Sequence, residues 1–290
     1  MKFAGKMVIT KIIGGLGNQM FQYAAGRSLA LHHKTDLLLD ISSFNRDDLR
    51  NFELSVFKNN FTIAKPEMIK EITERSFAGR IRDKFLPVRF RKIYKEPFFH
   101  YDKNFFKAAP NAYIKGYWQS EKYFERVKTA IRNDLAIKSE LIEGVKHFAR
   151  ELITAPSVAI HIRRTDYTSA YTKQYHGIIE KDYYTKAIQL ISGKENNARF
   201  YFFSDNINWV KENFNIAGAT YVSNEITKNH IEDLYLMSQC NHNIIANSSF
   251  SWWGAWLNNN PGKIVIAPKK WFNKGPKDTY DLYPDDWIIL

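Results

Sequence analysis

Two adjacent arginines, Arg163 and Arg164, close the sequence HIRRTD, His161 to Asp166. The preceding residues, Ser157 to Ile160, are SVAI and predict a short buried strand. The edge where such a strand stops is where an open α/β sheet binds its ligands. If the strand continues through them, the two arginines point to opposite sides. One guanidinium can then fork onto phosphate oxygens while the other holds a carboxylate such as Asp166. A purely structural Arg–Asp pair would use the same residues.

A second chemically rich segment runs from His230 to Leu257, HIEDLYLMSQCNHNIIANSSFSWWGAWL. Glu232 and Asp233 stand at a predicted helix start, where the helix dipole favours acids. A strand, HNIIAN, then delivers Ser248, Ser249 and Ser251 to the start of another helix. Hydroxyls beside unpaired backbone N–H groups make an anion site that needs no metal. Trp252, Trp253 and Trp256 recur at helical spacing and are expected to pack between two sheets. The sequence FFSDN (Phe202–Asn206) puts Ser204, Asp205 and Asn206 after another strand. Capping the next helix is their expected task, although Asp205 at a sheet edge also has reach to a nucleotide. Near the N-terminus, GGLGNQ (Gly14–Gln19) joins a strand to a helix. Its glycines permit a tight turn and close approach to a ligand, and Asn18 and Gln19 add amide groups. It lacks the third glycine of a dinucleotide fingerprint. No D-x-D, G-x-S-x-G or P-loop sequence occurs, and His230 and His242 have no metal-ligand spacing.

Strand-like runs at Met7–Ile12, Thr35–Asp40 and Ala112–Trp118 must position the first loop. Helices are predicted over the residues after Gln19, over Ser120–Leu135 and around Glu140–Leu152. Residues 42–110 are less regular. Beyond Pro156, strands at Ser157–Ile162, Arg199–Ser204, Thr220–Ser223, Asn243–Ala246 and Lys263–Ala267 alternate with helices. That alternation predicts a doubly wound parallel sheet. The chain has 290 residues, 44% apolar, enough for one large domain or two modest ones. A single cysteine, Cys240, excludes an internal disulfide and a Cys-based zinc site, and suits a reducing, cytoplasmic setting. The formal charge of +12 admits nucleic acid, an anionic membrane or a phosphorylated substrate as partner. Nucleic-acid signatures are absent, so no such partner is expected. Arg75–Lys95 mixes Lys and Arg with Phe and Ile, and is either an anionic-lipid contact or a solvated face whose apolar side packs on the core. No apolar run is long enough to span a bilayer, and the N-terminus lacks a signal-peptide core.

Taken together, GGLGNQMFQYAAGRSLA, HIRRTDY, FFSDN and NSSFSWWGAWL resemble the bacterial-type α-1,2-fucosyltransferases, glycosyltransferase family 11, from about Ile9 to Pro268–Trp271. At its arginine motif that family is similar to the α-1,6- and protein O-fucosyltransferases. The resemblance implies an α/β, GT-B-like fold of two Rossmann-like domains facing a cleft. The acceptor-side domain would cover 1–155 and the GDP-fucose domain 156–290, with a C-terminal tail packing back on the first. It implies inverting transfer of L-fucose from GDP-β-L-fucose to the 2-hydroxyl of a terminal β-galactoside, without metal or other cofactor. The acceptor would be an oligosaccharide or lipid-linked glycan of the O-antigen or surface-polysaccharide type. By motif, Arg163 resembles the arginine that neutralises the β-phosphate, with Arg164 and Asp166 as partners. His161 matches a nucleotide contact, Ser249, Phe250 and Ser251 the phosphate loop, and Asp233 a guanine contact. Gly15, Gly17, Asn18 and Gln19 resemble the loop facing donor and acceptor. The α-1,6 relatives place a basic carboxylate soon after the arginines, yet Tyr167–Ile179 holds no Asp or Glu. Asp166, Asp205 and Glu121 are the remaining candidates for a general base. Transfer with another linkage, or a non-catalytic glycan- or nucleic-acid-binding protein, are the alternatives.

Overall fold

The structure is a computed structural model and describes residues 6–47, 49–74, 79, 85–164, 175 and 177–290. The chain forms two compact units, one of Met1–Ala136 with Asp278–Leu282, the other of Ile137–Lys277 with Tyr283–Leu290.

The first unit is built on four parallel strands in the order β2-β1-β4-β3. These are β1 (Met7–Lys11), β2 (Asp36–Asp40), β3 (Ile93–Lys95) and β4 (Tyr113–Lys115). Helix α1 (Leu16–His33) links β1 to β2 and is buried over most of its surface. Its buried Gln22 is held at the start of the helix, Oε1 accepting from Ile13 N at 2.9 Å. Helix α2 (Pro66–Thr73) begins on a proline whose missing N–H costs nothing there, and packs Met68 into a cluster with Ile9 and Leu38. The predicted helix Ser120–Leu135 divides into 3-10 turns at Glu121–Tyr123 and Glu125–Val127 before α3 (Lys128–Asp134). The neighbouring rings of Tyr123 and Phe124 are both fully buried, and the tighter turns aim both inward. Asp134 ends α3 and ties it to α1, accepting from Tyr23 Oη at 2.7 Å and pairing with Arg27 at 3.0 Å.

The second unit holds six parallel strands in the order β10-β9-β8-β5-β6-β7. They are β5 (Ser157–Ile162), β6 (Arg199–Ser204), β7 (Thr220–Tyr221), β8 (His242–Ile244), β9 (Val265–Ala267) and β10 (Ile288–Ile289). Ahead of them, the predicted helix near Glu140–Leu152 begins as 3-10 turns and becomes α4 (Lys146–Leu152). Phe148 of α4 meets Tyr201 of β6 edge-on at 5.8 Å, so this segment packs with the second sheet. The division at Ala136 therefore falls ahead of Pro156. Crossovers are α5 (Lys181–Ser192), α6 (Ile207–Asn213), α7 (His230–Gln239) and α8 (Ser249–Leu257). Every residue of β5 is buried, as expected of a central parallel strand covered on both faces. Trp252, Trp253 and Trp256 on α8 pack on one another, and Trp252 on Trp287, at 5.1–6.2 Å, all within the second unit. Gly254 between them is required by close helix contact, since a Cβ there would stand 3.1 Å from two Met237 carbons of α7.

In the first unit, a Cβ on Gly26 of α1 would lie 2.0 Å from Thr10 Oγ1 and 3.0 Å from Leu37 Cδ1. Gly26→Ala should therefore lower stability by about 1–3 kcal/mol through overpacking. Urea unfolding checks this, and an unchanged midpoint would mean that α1 does not hold β1 this closely.

Candidate active site

Adjacent parallel strands bring the arginine and serine segments to one place. β5 pairs with β8, Ile160 opposite Ile244. Both strands therefore release their following residues at the same sheet edge. There Arg163 Nη1 donates to Ser248 Oγ at 2.8 Å. Ser248 is the residue before α8, in extended conformation, and its hydroxyl makes no capping bond of its own. The first turn of α8 carries no acid, so its backbone N–H groups and a half-buried guanidinium present positive potential together. Ser249 and Phe250 are partly exposed at this helix start. Ser251 is turned inward, its hydroxyl donating to Ala246 O at 3.3 Å and Ser248 O at 3.1 Å.

His161, the next inward-facing position of β5, lies beneath this edge. It is 7% exposed, its ring 5.7 Å from that of Phe250, and its Nδ1 has no hydrogen-bond partner. Burial depresses its pKa to about 4, with Asp205 opposing and the Arg163 charge reinforcing the shift. The imidazole is therefore neutral at pH 7. On the other side of Phe250 stands His230, at 6.1 Å.

Arg164 faces elsewhere. Its guanidinium lies over the Trp209 ring at 3.7 Å, on α6, and its backbone N–H donates to Asp205 Oδ1 at 2.8 Å. Asp205 thus fixes the backbone where the arginines leave the strand. Asn206, not Asp205, caps α6 through Trp209 N at 3.1 Å. Asp233, in the first turn of α7, is held by Ser223 Oγ at 2.7 Å and Thr227 Oγ1 at 2.5 Å. Burial nonetheless raises its pKa above the ordinary carboxylate value. Asp166 lies outside the described residues.

The GGLGNQ loop belongs to the first unit. Gly14 adopts φ +77°, a conformation open to glycine at little cost, and Gly15 precedes α1. Gly17 is buried in the first turn of α1. Gln19 is fully buried and acts as a strut: its Nε2 donates to Gly14 O and Asn51 O, both at 2.8 Å, and its Oε1 accepts from Glu53 N. Asn18 Oδ1 accepts from Gln119 Nε2 at 2.7 Å. The Arg50 guanidinium approaches within 3.7 Å of the Cβ position of Gly15. Ser223, Thr227, Trp209, Arg50 and Gln119 were not singled out from the sequence, because isolated Ser, Thr or Gln residues far along the chain carry no spacing signal. Glu121 pairs with Lys128 at 3.3 Å. Part of Arg75–Lys95 (residues 75–78 and 80–84) lies outside the described residues. Among the described residues no group of three or more His, Cys, Asp or Glu could hold a metal ion, and no helix is long and apolar enough to cross a membrane.

The sequence profile of Glycosyl transferase family 11 matches residues 4–290. The O-antigen biosynthesis glycosyltransferase WbnK of Escherichia coli is 35% identical over 96% of this chain and 98% of its own length. An α-1,2-colitosyltransferase of Escherichia coli is 32% identical, covering 98% of this chain and 99% of its own. In fold, the chain is similar to POFUT1 in complex with GDP-fucose, with a TM-score of 0.54 and 13% identity, over 91% of this chain and 98% of that one. The fold is thus α/β and GT-B-like, as the motifs imply.

The depressed pKa of His161 has a consequence for stability. The unfolded imidazole takes a proton near its ordinary pKa of about 6.5 and the folded one only near 4. Stability from this group is complete above about 6.5 and is lost as pH falls from there through 4. Between pH 7 and 4.5 wild type should lose on the order of 2 kcal/mol more than His161→Gln does. Equal losses in urea titrations of the two would show that His161 is protonated in the folded protein.

Proposed function

Because this chain belongs to glycosyltransferase family 11, we propose that it transfers L-fucose from GDP-β-L-fucose, with inversion, to the 2-hydroxyl of a terminal β-galactose in an O-antigen-type glycan. The observation that carries this is the 2.8 Å hydrogen bond between Arg163 and Ser248 at the start of α8. It joins a permanent cation, a hydroxyl and a helix start at the edge of a parallel sheet, the elements of a diphosphate site made from protein donors.

In the transfer, the bond from the anomeric carbon to the β-phosphate oxygen stretches first. Negative charge grows on the departing pyrophosphate as the sugar becomes oxocarbenium-like. Arg163 offsets that charge, fixed in place by Ser248 before the reaction begins, which is the form of electrostatic stabilisation that contributes most. Neutral His161 and the ring of Phe250 lie alongside, and Asp205 close by holds the Arg164 backbone N–H. Asp233, half-buried and oriented by two hydroxyls, is the acceptor for guanine N–H groups. The acceptor 2-hydroxyl attacks from the face opposite the leaving group as the C–O bond to GDP breaks, and gives up its proton late to a water molecule, so that demand for a strong base is low. The proposal uses no divalent ion.

A colitosyl donor is the second reading, favoured by the 32% identical α-1,2-colitosyltransferase. Colitose lacks only the 3-hydroxyl of fucose. A pocket that hydrogen-bonds that hydroxyl rejects the deoxy sugar strongly, whereas a pocket that does not cannot tell the two apart well. Competition between GDP-fucose and GDP-colitose, with EDTA present and galactosides as acceptors, decides between them.

Arg163→Ala should cut the rate on the order of 10²–10³, with Arg163→Lys restoring only part of it because an ammonium lacks the planar fork. Near-full turnover by folded Arg163→Ala protein would overturn the role assigned to this residue. A peripheral membrane contact is proposed for the described part of the basic stretch. Phe85 is 84% and Phe90 56% exposed, and the Arg89 guanidinium lies 4.8 Å from the Phe90 ring centre. The double variant Phe85→Ser, Phe90→Ser should float with phosphatidylglycerol vesicles severalfold less than wild type. Flotation of wild type that is equal on neutral and anionic vesicles would reject the contact.

A further inference from the structure

The first unit contains a cavity of about 630 Å³ beyond the residues assigned so far. It opens where the chain leaves β3 and β4. Phe98 lies flat on His100, ring centres 3.8 Å apart at 11°, and His100 stacks in turn on Tyr280 at 5.1 Å. Tyr280 belongs to Asp278–Leu282, the short C-terminal segment that packs in this unit. That segment is fastened at both ends. Asp278 pairs with His100 Nδ1 at 2.6 Å, and Asp281 accepts from Tyr101 N at 3.1 Å and pairs with Lys122.

This arrangement leaves two large rings uncovered in a polar setting: Tyr280 is 68% and Phe98 40% exposed. Lys103 and Asn104 add hydrogen-bonding groups to the lining. The acids of the cavity are already matched. Asp281 has Lys122, and Asp102 is bonded to the Tyr94 hydroxyl. A phosphorylated or strongly charged occupant has no unmatched cationic cluster to meet there. A neutral pyranose fits these groups. Its C–H faces, made slightly positive by neighbouring oxygens, lie against the negative faces of aromatic rings, and its hydroxyls take up the polar rim.

The cavity is also placed to serve a glycan. β1, β3 and β4 are parallel and release their loops at one edge, so Gly14–Gln19 and the cavity share that edge. A single turn connects them: Gln119 holds Asn18 at 2.7 Å, and Lys122, three residues on, lines the cavity. Glu96 braces this turn by accepting from Tyr117 N at 2.7 Å and Trp118 N at 2.8 Å. Gly116 is compelled there, since a Cβ would stand 2.4 Å from Glu96 Cβ.

We propose that the Phe98–His100–Tyr280 cavity is a subsite for a neutral hexose of the acceptor glycan, one or more sugars removed from the unit that is modified. It rests on the glycosyl-transfer reading above for the identity of the glycan. The subsite would make the enzyme select acceptors by length.

The probes are the disaccharide Galβ1-3GlcNAc and the tetrasaccharide Galβ1-3GlcNAcβ1-3Galβ1-4Glc, tested on the full chain by saturation-transfer NMR and in transfer assays. Tyr280→Ala and Phe98→Ala both replace exposed rings. Each should weaken tetrasaccharide binding and raise its KM on the order of tenfold, leaving kcat and the disaccharide KM unchanged. Loss of tetrasaccharide saturation transfer in both variants supports the subsite even if neither GDP-fucose nor GDP-colitose is a donor, an outcome that would sink only the transfer reading. Tetrasaccharide signals equal in wild type and both variants, or absent from wild type, overturn the subsite whatever the donor proves to be.

Discussion

Parallel pairing is the constraint on which the rest of this protein depends. In a parallel sheet every strand releases its next segment at the same edge, so residues distant in sequence meet there without any need for local contact. Arg163 and Ser248 are 85 positions apart and touch because β5 and β8 are neighbours in register. In the first unit, the glycine loop after β1, the Glu96 loop after β3 and the Gln119 turn after β4 share an edge for the same reason. The hydrophobic content of the strands thus determines where the chemistry is placed. Val158, Ile160 and Ile162 of β5 are all but fully buried, and their burial fixes the position from which Arg163 departs.

Two neighbouring arginines of the same chemistry acquire different tasks from their surroundings. Arg164 is drawn onto the Trp209 face, and the backbone N–H beside it is held by Asp205. Arg163, one step earlier and therefore on the other side of the chain, meets a serine hydroxyl at a helix start. An aromatic partner makes one guanidinium part of the scaffold. The bond to a hydroxyl at a helix start places the other beside the positive end of α8. Burial keeps His161 neutral, and the Arg163 charge reinforces this against the opposing Asp205.

Much of the second unit was legible because its strands are short apolar runs separated by helical patterns, and because RR and NSS stand at strand ends. The first unit was less so. β3 comprises three residues, Ile93–Lys95, in a stretch with no alternation to mark it. The aromatic pair Tyr123–Phe124 falls inside a pattern that reads as one long helix and is instead two tight turns. Pro156 is the boundary mark that the sequence offers, whereas the compact units divide at Ala136, with Phe148 packed on Tyr201 in the second. Within the site, the sequence marks residue types but not their orientation. Ser249 and Ser251 are equivalent in sequence, yet the second lies within the turn and bonds to two carbonyls.

The glycine loop of the first unit shows how far orientation alters function. Asn18 and Gln19 read as ligand-binding amides, but their described bonds are internal, Gln19 to residues 14, 51 and 53 and Asn18 to Gln119. What the loop presents outward is then backbone at Gly14 and Gly15 and the half-buried Asn18 amide, with the Arg50 guanidinium close by. Backbone groups recognise a hydroxyl or phosphate by position and say little about which sugar carries it. Discrimination among acceptors must then come from side chains farther along the same edge. In this unit the rings of Phe98, His100 and Tyr280, one braced turn away, are large, exposed and fixed in mutual stacking, which is the kind of surface able to supply it.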